Sequence, residues 1–242
     1  MTARFFVQDT LLTRPVRDHI AAVPRVNIEI LDRLAPGCFA LVETGFLPQL
    51  EGYTVHSECG ISLRDCGLVR FCSPVRPDQL EAPAIRLKTD SMTTELLARA
   101  TLPGYFGFRP RAWVAGDSDP YDAIVLDEIA GISATESEFV DDVTRGWFVL
   151  SGVPFVSHIV AVPDGATADE REAVTDLIHE SFEGNLGLTA SYAVTQGAEQ
   201  AQIDAVLEDV ATVMTGDERV GIAELFRRCG IDTGFHDVNW LR

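Results

Sequence analysis

The chain has 242 residues, 46% of them hydrophobic and 23% charged, with a formal net charge of −18. That length supports one large or two small domains with a substantial core. The acidity argues against a nucleic-acid partner, which needs clustered Lys and Arg, and no apolar run approaches the roughly 20 residues that span a bilayer, which argues against a membrane protein.

The opening MTARFFVQDTLLTRPVRDH lacks the long apolar core of a signal peptide, so a cytoplasmic location is the expectation. CFALVETGF predicts a strand running into a turn. GISLRDCGLVRFCS alternates, is punctuated by Gly60 and Gly67, and predicts paired strands. APAIRLK predicts a short strand that leads into KTDSMTTELLAR, after which Leu96, Leu97 and Ala100 fall at helical spacing as far as Pro103. DAIVLDE is a compact strand with acids at both ends. GWFVLSGVPFVSHIVAVPDG is broken by Gly152 and Pro154 and predicts two extended segments.

The last third changes period. A capping box at Thr167 and Glu170 opens a helix that Gly184 ends. Ile203, Val206, Leu207, Val210 and Met214 mark a second helix, and DERVGIAELFRRCG a third, acids first and arginines last. Alternating strands and helices predict an α/β fold with a largely parallel sheet, covered by this helical C-terminal segment.

Five cysteines (Cys38, Cys59, Cys66, Cys72 and Cys229) form no CxxC pair or zinc-ribbon spacing and read as buried, reduced thiols. HExxH, glycine-rich phosphate-loop and GxSxG patterns are absent, so metal, nucleotide and serine-hydrolase readings lose ground and no cofactor is expected. Ser91, Thr93 and Thr94 follow Asp90 at a strand-to-helix junction. One hydroxyl suffices for a cap. Three, beside the free N–H groups of a helix start, suit a carboxylate.

Asp127 and Glu128 sit at the carboxyl end of a strand, where open α/β sheets bind ligands, which favours them over Asp122; a helix cap or solvated acid is the alternative. His158 is either a base facing a cleft or a satisfied core residue. Ser157 and His158, as strand neighbours, are expected on opposite faces and so cannot form a nucleophile–base pair. Arg64 and Arg70 suit a carboxylate or surface ion pairs. Trp147 and Phe155 are expected to pack the crossover.

Three pieces, IRLKTDSMTTELLAR, YDAIVLDEIAG and GWFVLSGVPFVSHIVAV, agree in order and spacing with motifs of one family across roughly Gly37 to Val162. They resemble the menaquinone-biosynthesis enzymes of the futalosine route, whose members include chorismate dehydratase. The resemblance implies a two-lobed type II periplasmic-binding-protein fold with crossover strands. Residues 1–83 plus 159–242 would form one lobe and 84–158 the other. It also implies a lyase without metal or organic cofactor, acting on chorismate or a related cyclic carboxylate held between the lobes. Ser91, Thr93, Thr94, Thr13, Arg14, Ser62, Ser151 and Gly152 would bind that substrate, and His158 and Asp127 would be catalytic.

Two departures stand out. Leu12 replaces the family's substrate-contacting asparagine, leaving Thr13 and Arg14 as the nearest polar residues, and Phe71 stands where a serine is expected. Alternatives are a non-catalytic protein that binds or senses a small carboxylate, and a secondary-pathway enzyme acting on another aromatic acid.

Overall fold

The protein is described by a computed structural model covering residues 2–23, 27–115, 119–134 and 137–231. Strand β1 (Ala3–Val7) buries Ala3, Phe5 and Val7, the period of two that a pleated strand imposes. Helix α1 (Arg14–Ala22) begins with Pro15 in its first turn, where the missing N–H costs nothing. Strands β2 (Ile28–Leu31) and β3 (Phe39–Glu43) lie parallel to β1 on either side of it. β3 is buried from end to end, and its last residue is an acid.

The long strand β4 (Tyr53–Leu63) and β5 (Arg70–Ser73) follow. Strand β6 (Ala84–Lys88) leads into helix α2 (Met92–Phe106), which Ser91 caps and Gly107 closes in the left-handed region. The second half continues with β7 (Ala112–Val114), β8 (Ala123–Leu126), α3 (Glu128–Ile132), β9 (Phe139–Asp142) and α4 (Val143–Ser151). Strand β10 (Phe155–Pro163) is fully buried. Helices α5 (Ala168–Thr195) and α6 (Gln200–Asp209), the short strand β11 (Ala211–Val213) and helix α7 (Gly216–Cys229) complete the order.

The strands form two sheets, one ordered β11-β4-β10-β3-β1-β2 and the other β7-β6-β8-β5-β9. Each sheet defines a lobe, and the chain crosses between them after β4 and again before β10. The α/β class and the two-lobed arrangement with crossover strands are as expected from the sequence.

Several details are not. Four strand pairings are parallel and five antiparallel among the described residues, so the sheets are mixed. The returning strands β5 and β10 run against both neighbours. The strands read as a pair, β4 and β5, belong to different sheets. Arg70–Ser73, placed in the first lobe by sequence, pairs with β8 and β9, while Phe155–His158, placed in the second, pairs with β4 and, at His158, with β3.

The segment GWFVLS is the helix α4, not a strand. The Asp142 carboxylate caps it, accepting from the N–H groups of Thr144 at 2.9 Å and Arg145 at 3.4 Å. Helix α2 runs through Pro103 to Phe106, and α5 runs past Gly184 to Thr195. The helical pattern expected to extend to Met214 instead ends at Asp209, because Ala211–Val213 pairs with the edge of β4.

Trp147 on α4 is fully buried, and Phe71 packs in tilted contact with Phe106 and Phe108 at centroid distances of 5.3 and 6.0 Å. The aromatic ring at the position where a serine was expected thus belongs to the second lobe's core. All five cysteines are free; burial pushes the Cys59 and Cys66 thiols up to about 12, so they are unreactive apolar fillers.

Candidate functional site

Four strands, β1 and β3 of the first lobe and β6 and β8 of the second, end at a common cleft of about 550 Å³. Gln8, Asp9 and Thr10 follow β1, Glu43 ends β3, Lys88 to Ser91 join β6 to α2, and Asp127 and Glu128 follow β8. The lining comes from carboxyl ends of strands, as the sheet geometry directs.

The N-terminus of α2 is already occupied by a carboxylate of the chain. Glu43, 6% exposed, accepts the Ser91 hydroxyl at 2.8 Å and the Thr93 N–H at 3.2 Å on one oxygen, and the Gln8 amide at 3.0 Å on the other. The Glu43 N–H donates back to Gln8 Oε1 at 2.9 Å. Ser91 is also the helix cap, its hydroxyl accepting the Thr94 N–H at 3.0 Å. The Thr93 hydroxyl accepts the Gly45 N–H at 2.7 Å. Of the three hydroxyls expected to hold a substrate carboxylate, only that of Ser91 donates to Glu43, joined by the Thr93 N–H.

Asp127 accepts the Thr89 hydroxyl, which in turn accepts the Ser91 N–H at 2.9 Å. Burial raises the Asp127 pKa and the nearby Asp90 charge adds to it, against the lowering pull of the Thr89 and Thr94 hydroxyls. Glu128 accepts the Leu11 N–H at 3.0 Å, a bond between the lobes. Its pKa is also raised, by burial first; the Leu11 N–H opposes this, while Asp127, Glu43 and Asp9 reinforce it. Glu128 holds φ at +48°, the left-handed region that a residue with a side chain adopts only when its surroundings impose it.

His158 is buried beneath the cleft and its pKa is lowered to about 3 by burial, so it is neutral. Its Nδ1 lies 3.1 Å from the Ser157 hydroxyl, which donates to the Ile61 carbonyl at 3.1 Å, and its Nε2 lies 3.0 Å from the Thr10 hydroxyl. With the Ser157 proton committed to Ile61, Nδ1–H donates to Ser157 and Nε2 accepts from Thr10. The ring thereby ties the loop after β1 to β10. Ser157 and His158, expected on opposite faces, meet because the register with β4 shifts between Val156 and His158. They still form no nucleophile–base pair, because the hydroxyl is buried and its proton is spent.

The remaining expected contacts do not line the cleft. Thr13 is buried as the N-cap residue of α1, and its hydroxyl donates to the Gln8 carbonyl. The Arg14 guanidinium stacks 3.5 Å above the Tyr192 ring of α5. Ser62 is buried within β4 opposite Val156. Ser151 bonds the Trp147 carbonyl at 2.8 Å, and Gly152 caps α4 at φ +75°. Arg64 lies 5.8 Å from the Phe148 ring, and Arg70 sits on β5 opposite Asp142 of β9. Sequence reading missed Gln8, Thr10 and Glu43. The signal was available for Glu43, an acid at the end of a buried strand, like Asp127.

The sequence matches no protein-family model and no curated protein. Its fold matches solved structures. Protein AF1704 from Archaeoglobus fulgidus superposes with a TM-score of 0.66 at 12% identity, over 95% of this chain and 97% of that one. An ABC transporter structure from Parabacteroides distasonis gives 0.62 at 11% identity, covering 99% and 94%. The ligand-binding component of an ABC-type import system from Staphylococcus aureus gives 0.55 at 8% identity, covering 96% and 92%. At such identities the likeness concerns architecture alone: the chain has the two-lobed α/β fold of these structures.

Proposed function

We propose that this chain binds a small polar molecule in the cleft between its lobes, and that the ligand offers hydroxyl or ammonium donors to Asp127 and Glu128. The observation that carries this reading is the charge of the lining. Among the described residues, Asp9, Glu43, Asp90, Asp127 and Glu128 face the same space as two cations, Arg86 and Lys88. A wall of that sign favours donors and repels a dianion. A single carboxylate on the ligand has Lys88 to face; the donors at the start of α2 are engaged with Glu43.

The test is a thermal-shift panel of amines, polyols, monocarboxylates and dicarboxylates at fixed salt. Amines or polyols are expected to raise Tm, and Asp127→Asn to abolish the rise. Stabilisation by dicarboxylates alone, unchanged in Asp127→Asn, would contradict the reading.

A second reading, the cofactor-free elimination that the resemblance implies, is favoured by one observation. Asp127 and Glu128 are adjacent buried carboxyls with raised pKa values, suited to passing a proton. Incubation with chorismate, followed by mass and ultraviolet absorbance, separates the two. Loss of one water, abolished in Asp127→Asn, supports catalysis; unchanged chorismate removes it.

A further inference from the structure

Among the described residues, three of the hydrogen-bonded links that join the lobes around the cleft share a design: each pairs one lobe's functional group with a backbone or side-chain donor of the other. Glu43, at the end of β3 in the first lobe, accepts from Ser91 and Thr93 at the start of α2 in the second. The Gly45 N–H of the first lobe donates to the Thr93 hydroxyl of the second at 2.7 Å. Glu128 of the second lobe accepts the Leu11 N–H of the first at 3.0 Å.

We propose that Glu43 is an internal latch, an autoinhibitory contact in which the chain's own carboxylate occupies the anion position at the start of α2 and holds the lobes closed in the ligand-free protein. A nearly buried carboxylate is tolerable only while its donors stay in place. Here two of its three donors, the Ser91 hydroxyl and the Thr93 N–H, belong to the opposite lobe, so separation of the lobes leaves Glu43 only the Gln8 amide and leaves the first turn of α2 without an anion. Closure and the Glu43 contacts are therefore one event. Any ligand carboxylate that reaches Ser91 and Thr93 must first turn Glu43 out, which makes the latch a filter against anions as well as a brake on opening.

The inference takes the cleft as the binding site, as proposed above, but its test needs no ligand, so the two readings fail separately. Amide hydrogen exchange and small-angle scattering are measured on the ligand-free protein. In Glu43→Gln the amides of Thr93 and Thr94 are expected to exchange about tenfold faster, and so is the remote amide of Leu11, which depends on closure and not on the cap of α2. The radius of gyration should rise, while α5 keeps its protection.

Glu43 also pairs with Gln8, so two further variants guard against a folding defect. Ser91→Ala removes a donor from the other lobe. Gly45→Ala places a Cβ about 2.8 Å from the Met92 Cβ and 2.9 Å from the Thr93 nitrogen, a wedge between the lobes. Both are expected to open the protein in the same way. Acceleration confined to residues 91–94, with Leu11 and the radius of gyration unchanged in every folded variant, overturns the latch.

Discussion

His158 and Asp127, the two residues expected from the sequence to be catalytic, carry opposite pH signatures. Burial lowers the His158 pKa from 6.5 to about 3, so the unfolded chain takes up a proton that the folded one refuses. Stability from this group is complete above pH 6.5 and is lost as pH falls toward about 3. His158→Gln should therefore show a shallower loss of Tm on acidification through that window, measured by thermal melts. Asp127 behaves inversely: its folded pKa lies above the usual value, so ionising it costs stability as pH rises through that folded value.

Asp127→Asn keeps an acceptor for Thr89 and should melt higher than wild type at pH 7, the gain shrinking as pH approaches 4. An unchanged Tm at both pH values would refute the assignment. At Glu128 the backbone adds its own signature. Glycine accepts φ +48° freely, so Glu128→Gly should cost less stability than Glu128→Val, where a branched side chain meets a strained backbone; a cost of about 1–3 kcal/mol is expected for Val. The rule that ligands meet the ends of strands made Asp127 and Glu128 legible in the sequence. Glu43 obeys the same rule, but whether its carboxylate faces solvent or a helix start depends on a contact 48 residues away.

Among the elements, β6 with α2, β8, and α7 were legible because a local signal stood at each boundary, such as the Ser91 cap or the Thr215–Glu218 capping box. α4 was not, since GWFVL carries β-favouring residues and its cap, Asp142, lies at the end of a strand. β11 was hidden for a non-local reason: Val210 and Met214 fit a helical period, yet the chain pairs with the exposed edge of β4. The junction between β8 and α3 is tightly packed. A Cβ on Gly131 would fall 2.4 Å from the Leu68 carbonyl oxygen and 2.9 Å from that of Leu126. Alanine normally favours a helix over glycine, but here overpacking of fixed backbone should win. Gly131→Ala is expected to destabilise by about 1–3 kcal/mol, read from the urea midpoint. A gain in stability would show that the junction is loose.

At the scale of the whole molecule, the two-lobed plan followed from the order of strands and helices together with the resemblance, whereas the lobe boundary did not. Sheet membership of β5 and β10 is decided by partners far along the chain, which periodicity cannot report. The plan brings four strand ends, each with an acid at its last residue or within two residues of it, to one cleft, and it sets the Glu43 carboxylate against Ser91 and Thr93 at the start of α2. On the function proposed above, recognition falls to the inner wall formed by Asp127 and Glu128.

The most direct test is a crystal structure grown with the amine or polyol that stabilises the wild type most. The ligand is predicted to lie between the lobes with a donor within hydrogen-bond distance of Asp127 or Glu128. A ligand bound outside the cleft, for instance in the surface groove beside Phe6, Ile20 and Ile30, would contradict the account.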